Sequence, residues 1–82
     1  MTRPVKRSFS IKGHRTSISL EGPFWDALKE AAAAEGRSLA QLIACIDQER
    51  GGAGLSSAVR IWTLDYFRRL KAAQSYDGGN RD

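Results

Sequence analysis

Cysteine is all but missing from this chain: Cys45 is the single thiol, so no disulfide can staple the fold from within. Histidine is as scarce, with His14 alone, and a structural zinc site ordinarily takes four ligands, so neither a metal nor any other cofactor is expected. No apolar run approaches the roughly 20 residues that span a bilayer. Residues 1–10 are basic but lack the apolar stretch of a signal peptide. These absences point to a soluble protein of a reducing compartment, cytoplasmic and without a membrane partner. Catalytic constellations are missing too. No Ser/His/Asp set and no paired carboxylates stand at credible positions, and the glycines at 51, 52 and 54 lack the Lys-Ser/Thr of a phosphate loop. The expectation is a protein that is not an enzyme.

Acidic residues are absent from the first quarter of the chain. Residues 1–20 hold five cations (Arg3, Lys6, Arg7, Lys12, Arg15) and no acid, whereas the remainder sets eight cations against nine acids. The net charge of +4 therefore resides wholly at the N-terminal end. A basic segment beside a near-neutral body is the electrostatic footprint of a polyanion binder. At 82 residues there is room for one domain. A domain of this order buries only about 60% of the surface its unfolded chain exposes, so a lone protomer is marginal. With disulfides and zinc excluded, oligomerisation is the remaining staple.

Residues 1–6 read as a flexible basic arm, residues 7–73 as the folded domain, and residues 74–82, rich in Gly, Asp and Asn, as a disordered tail. No internal repeat organises the chain. Between Arg7 and Glu21 apolar and polar residues alternate, with Phe9, Ile11, Ile18 and Leu20 as the apolar members, which is the signature of a half-buried strand. Gly13 interrupts the alternation, leaving two readings: one long bent strand, or a hairpin turning at Lys12-Gly13. Gly22-Pro23 opens a helix carrying Phe24, Trp25, Leu28, Ala31 and Ala32, and Gly36 ends it. Ser38 with Gln41 forms a capping box for a second helix, whose Leu39, Leu42, Ile43 and Ile46 make one apolar stripe. A third helix is expected from about Ser56 to Ala73. Val59, Trp62, Tyr66, Phe67 and Leu70, with Ile61 and Leu64 beside them, make it apolar over so much of its circumference that burial on both sides is expected.

A basic strand with Ile18-Ser19-Leu20 leads to Pro23, and Gly36-Arg37-Ser38-Leu39 opens the second helix. In that order and spacing, over roughly residues 15–50, the chain resembles the ribbon-helix-helix family of MetJ- and Arc-type DNA-binding proteins. With its added third helix it looks like a bacterial subgroup of that family. The resemblance implies a mainly α fold with a short N-terminal β ribbon, built as an intertwined homodimer in which two protomers pair their strands and share a core. Ile18, Leu20, Leu42, Ile43, Ile46 and Trp62 would line that dimer core. The ribbon would enter the major groove of double-stranded DNA, which admits a two-stranded β ribbon. If Ile18 and Leu20 face inward, strand parity turns Arg15, Ser17 and Ser19 toward the bases, with Arg15 able to grip guanine and the serines permissive. Phosphate contacts are assigned to Arg3, Lys6, Arg7 and Lys12, and to the second helix's N-terminus at Arg37, Ser38 and Leu39. Two readers of three are serine, and Glu21 places an acid at the strand's end, which weakens sequence discrimination more than groove binding.

The implied function is a nucleoid-associated transcriptional repressor. Alternatives are an antitoxin with a protein partner on the C-terminal helix, or a protein-interaction module of the same fold without DNA binding. The remaining reactive or aromatic groups read as structure: His14 as a polar strand-end residue, Cys45 as core packing, and Trp25, Trp62, Tyr66 and Phe67 as core or dimer interface rather than base-stacking platforms.

Overall fold

Of the two readings for the first twenty residues, the computed structural model, which describes residues 3–79 and the side chains of residues 3–73, selects the hairpin. Strand β1 (Pro4–Ile11) pairs antiparallel with β2 (His14–Glu21), and the turn is Lys12-Gly13. Both turn residues have positive φ, 51° at Lys12 and 80° at Gly13. Positive φ at both central residues marks the turn whose twist matches that of the flanking strands, and glycine adopts it without a Cβ clash. The resemblance implied a ribbon with one strand from each of two protomers. In this chain the turn pairs β2 with β1 of the same protomer.

Three helices follow: α1 (Gly22–Ala34), α2 (Leu39–Glu49) and α3 (Leu55–Gly79). Helix α1 buries Trp25, Leu28, Ala31 and Ala32 along one stripe. It ends at Gly36, whose φ of 69° is the left-handed cap. The Gly36 N–H donates to the Ala33 carbonyl at 3.1 Å and the Arg37 N–H to that of Ala32 at 2.9 Å, a Schellman pair that satisfies carbonyls orphaned by the helix end. Helix α2 begins with the expected capping box: the Gln41 N–H donates to Ser38 Oγ at 3.1 Å, and the Ser38 N–H donates to Gln41 Oε1 at 2.9 Å. Leu42, Ile43 and Ile46 are buried as the stripe required.

The hairpin's inner face and the three helices close one core of eleven buried apolar side chains among the described residues. Ile18, Leu20, Leu28, Ile43 and Val59 are wholly inaccessible. The residues expected in a shared core, Ile18, Leu20, Leu42, Ile43 and Ile46, are thus enclosed by elements of their own chain, with Trp62 partly buried against them. Strand β1 makes this possible by adding Phe9 and Ile11 to the apolar surface.

Three sequence expectations need correction. The arm expected over residues 1–6 is already strand at Pro4, because Pro4 to Lys6 pair with Glu21 to Ser19 and the Trp25 indole N–H donates to the Val5 carbonyl at 2.9 Å. Helix α3 runs through Gly79, past the expected end at Ala73. The intervening sequence holds no proline, and its first glycines are Gly78 and Gly79. The rest of the expected tail, residues 80–82, lies outside the described residues, as do residues 1–2 of the arm. Nor is α3 covered on both sides within the chain, since Ile61 and Leu64 remain 59% and 54% exposed.

Core parity makes a sharp stability test. Leu20→Asp should abolish cooperative unfolding by circular dichroism, because it buries an unpaired carboxylate. Ile18→Ala should cost about 2–5 kcal/mol. Parent-like melting of either variant would show that the strand parity is reversed.

Candidate nucleic-acid interface

Directly opposed residues of an antiparallel pair share a face, so the register sorts every ribbon side chain. Ile18 and Leu20 face the core, and with them their partners Arg7 and Val5. The outward face therefore consists of four rungs: Pro4 opposite Glu21 at its end, then Lys6 opposite Ser19, Ser8 opposite Ser17, and Ser10 opposite Arg15. All eight are exposed except Ser19 and Glu21, which are half-buried. In the third rung Ser8 Oγ and Ser17 Oγ lie 3.4 Å apart. Arg15, Ser17 and Ser19 stand together on this face as expected, and Lys6 joins them.

Sequence reasoning passed over Ser8 and Ser10 as ribbon-face residues. The signal was present, since Phe9 and Ile11 alternate with them, but it pointed to a face only once β1 was paired. Arg7 departs from its expected phosphate role. It stands on the inner face, with its guanidinium carbon 5.4 Å from the centre of the Trp25 ring, a cation–π arrangement that covers the indole. Trp25 in turn lies against Phe9, with ring centres 6.0 Å apart.

The remaining cations are dispersed. Arg3 precedes β1 and is exposed, and Lys12 sits at the hairpin tip. That tip adjoins the C-terminal end of α2, where Lys12, His14 and Arg15 line a cleft with Asp47 and Arg50. The start of α2 at Arg37, Ser38 and Leu39 is then the length of an 11-residue helix away, about 16 Å at 1.5 Å per residue. Ser38 Oγ already accepts one of that end's N–H groups, and Arg37 Nη1 reaches Cys45 Sγ at 2.9 Å. Within one chain the tip and the helix start are separate positions rather than one anion site.

The acid at the strand's end is accounted for by a residue that no local pattern marks. Arg60 of α3 donates from Nε to Glu21 Oε1 at 3.1 Å and from Nη2 to Oε2 at 3.3 Å, a two-pronged pair. Arg60 Nη2 also approaches the Ser19 carbonyl at 3.4 Å, and Ser56 Oγ accepts the Ser19 N–H at 3.1 Å. Both backbone groups of Ser19 therefore point away from β1 and are held by α3. The Arg60 hydrogen bond, foremost, holds the Glu21 carboxyl below its ordinary value.

Elsewhere, Trp62 and Tyr66 stack at 5.2 Å on α3, away from the ribbon, and half-buried Cys45 is a free thiol. Among the described residues no cluster of His, Cys, Asp and Glu could hold a metal ion, and no helix is long and apolar enough to cross a membrane.

A basic two-stranded ribbon laid on a three-helix core defines the architecture. The chain belongs to the ribbon-helix-helix domain family, whose model matches residues 4–67. Domains of this family generally bind DNA, typically as dimers, and the family is not an enzymatic one. The chain is similar to the solved structure of an uncharacterized protein from Bordetella pertussis Tohama I, at 36% identity and a TM-score of 0.73. The likeness covers 88% of this chain and 61% of that one, so the chain spans less than two thirds of that relative's length. No curated protein matches.

The Glu21–Arg60 pair predicts a pH dependence. A carboxyl held below its ordinary value contributes stability above the unfolded value of about 4.5 and loses it as pH falls through the lower, folded value. Melting temperature should therefore decline on acidification below about pH 4.5, and Glu21→Gln should flatten the part of that decline due to this pair. An unchanged pH profile in the variant would show that the pair adds nothing to stability.

Proposed function

We propose that this chain binds double-stranded DNA by laying the outward face of its ribbon into the major groove, and that it acts as a homodimeric, nucleoid-associated repressor of transcription. The observation that carries the reading is the composition of that face. Lys6 and Arg15 flank four serines, and the one acid on the face, Glu21 at its end, is paired with Arg60. A face of small hydroxyls flanked by cations can approach base edges closely, whereas bulky side chains would hold it off.

Arg15 is the residue suited to guanine, whose two acceptor atoms match a guanidinium fork. Ser17 and Ser19 can pair with several bases and add affinity more than discrimination. Arg3 and Lys12, at opposite ends of β1, serve as phosphate contacts. The amides at Arg37, Ser38 and Leu39 meet a different phosphate from Lys12, since the two positions are separated by the length of α2. Arg7 is withdrawn from the phosphate set because its guanidinium covers Trp25.

The homodimer belongs to the proposal on the family's habit and on the exposed Ile61 and Leu64 of α3. A second copy seated on that face would explain two large apolar side chains left in solvent. Sedimentation should show a dimer at micromolar concentration that Ile61→Glu converts to monomer. A parent protein that sediments only as a monomer would remove this part of the reading.

The DNA contacts are tested by anisotropy titrations at several salt concentrations. Arg15→Ala should cost roughly 1–3 kcal/mol and flatten the preference between duplexes. Lys12→Ala should weaken all duplexes alike and lower the salt slope by about 0.9 for each phosphate no longer neutralised. Arg7→Ala should leave affinity near the parent's while lowering the melting temperature. Parent-like binding by Arg15→Ala would exclude the ribbon face as the interface.

A further inference from the structure

Away from its hairpin tip the ribbon ends in the rung of Pro4 opposite Glu21. A guanidinium from another element is fixed there. Arg60 of α3 donates from Nε to Glu21 Oε1 at 3.1 Å and from Nη2 to Oε2 at 3.3 Å, and the same Nη2 lies 3.4 Å from the Ser19 carbonyl. The guanidinium carbon stands 6.0 Å from the centre of the Phe24 ring, so an aromatic side chain backs the group. A guanidinium carries five N–H donors. The contacts to Glu21 and Ser19 engage Nε and Nη2, while Nη1 meets no acceptor among the described residues. The side chain keeps 34% of its surface in solvent. Bracing the end of β2 therefore leaves one edge of the cation unused.

We infer that Arg60 is a DNA contact, donating from Nη1 to a backbone phosphate at the Pro4–Glu21 end of the ribbon while Glu21 holds the guanidinium in place. The inference rests on the DNA-binding reading above and adds to it a residue from outside the ribbon. Carboxylate and phosphate are the two anions whose geometry a guanidinium fork matches. Glu21 engages one edge of the group and leaves the other presented. An arginine that orders only on binding gives up its rotamer freedom at that moment, whereas Arg60 is already ordered. Charge decides whether a phosphate is welcome here. Glu21 and Arg60 cancel, but exposed Arg3 directly precedes Pro4, the partner of Glu21. This end of the ribbon therefore holds two cations against one acid, and a phosphate is attracted to it.

The placement gives the contact a consequence for reading. Strand β2 runs from His14, beside the tip, to Glu21, about 23 Å at 3.3 Å per residue. Phosphate contacts fix register and orientation on a duplex, and base contacts specify. With Lys12 at one end of β2 and Arg60 at the other, the ribbon is held at both ends, which sets the bases that Arg15, Ser17 and Ser19 meet. The same geometry makes Glu21 a brake on affinity, because it places an acid beside the phosphate that Arg60 meets.

Anisotropy titrations of a labelled duplex over a salt series test the inference on the parent, Glu21→Gln and the double variant Glu21→Gln/Arg60→Gln. Comparing the last two removes the cation without leaving an unpaired acid behind. Glu21→Gln should bind more tightly than the parent, since an acid leaves the interface while the amide oxygen still accepts from Arg60. The double variant should bind roughly tenfold or more weakly than Glu21→Gln, as expected for a lost hydrogen bond to a charged group. Its salt slope should be smaller by about 0.9, one phosphate fewer. A residue that only braces β2 would lower the melting temperature when replaced and leave that slope unchanged. Equal affinity and equal slope in the two variants would thus overturn the contact while leaving DNA binding intact. Glu21→Gln is isosteric and keeps the test decidable should the double variant fail to fold. Parent-like affinity of Glu21→Gln would put this end of the ribbon, and Arg60 with it, outside the interface. Failure of the parent to bind any duplex would overturn the DNA reading and this inference together.

Discussion

Strand parity governs everything on this molecule's surface, and two residues set it. Lys12 and Gly13 form the tightest connection that antiparallel strands allow, and both occupy backbone conformations with positive φ. A two-residue turn leaves no freedom in register: Ile11 meets His14, and every later pair follows. Side chains alternate with a period of two, so a slip of one residue would carry Ile18 and Leu20 into solvent and Arg15, Ser17 and Ser19 into the core. The core enforces the same choice from the other side, since Ile18 and Leu20 are wholly inaccessible. Turn geometry and hydrophobic burial thus specify one register independently, and the outward face is its consequence.

Trp25 converts that hairpin from an appendage into part of the domain. An isolated two-stranded hairpin is marginally stable at best in water and needs a helix or further strands to pack on. Trp25 lies at the start of α1, immediately after the ribbon, and its indole meets β1 in three ways. The ring N–H is satisfied by the Val5 carbonyl, the ring system stands against Phe9, and the Arg7 guanidinium covers it. A buried indole needs a partner for its N–H, and here the partner is the backbone of the strand whose position would otherwise be least determined. The same contacts explain why Arg7 is unavailable to DNA while Lys6, its neighbour, is free. Adjacent cations on a strand point to opposite faces, so a count of positive residues overstates the interface.

Local chemistry was legible in the sequence, whereas pairing was not. The capping box at Ser38 and Gln41 and the cap at Gly36 occur where the residues indicated, because each depends on atoms within a few positions along the chain. The apolar stripe of α2 and the inward parity of Ile18 and Leu20 were readable from periodicity for the same reason. The choice between a bent strand and a hairpin was not, because Gly13 suits either, and the decision lies in contacts from Trp25 and α2 to β1. Arg60 could not have been found by pattern. It stands 39 residues from Glu21 in the chain and becomes its partner only when α3 packs along β2.

The distribution of charge follows from these same placements. On composition alone, the acid at Glu21 works against a ribbon meant for a polyanion. In the folded chain that charge is paired with Arg60, which also supports the Ser19 carbonyl, so one side chain neutralises the acid and holds the end of β2. Removing the acid would leave Arg60 with weaker reason to lie along the edge, and removing Arg60 would expose both an uncompensated carboxylate and the Ser19 carbonyl. An open edge beside a flat, serine-lined ribbon invites pairing with another chain. A third helix that looks superfluous to a ribbon-helix-helix domain therefore has a physical task in this one. Through Ser56 and Arg60 it takes both backbone groups of Ser19 and pairs the acid at the ribbon's end.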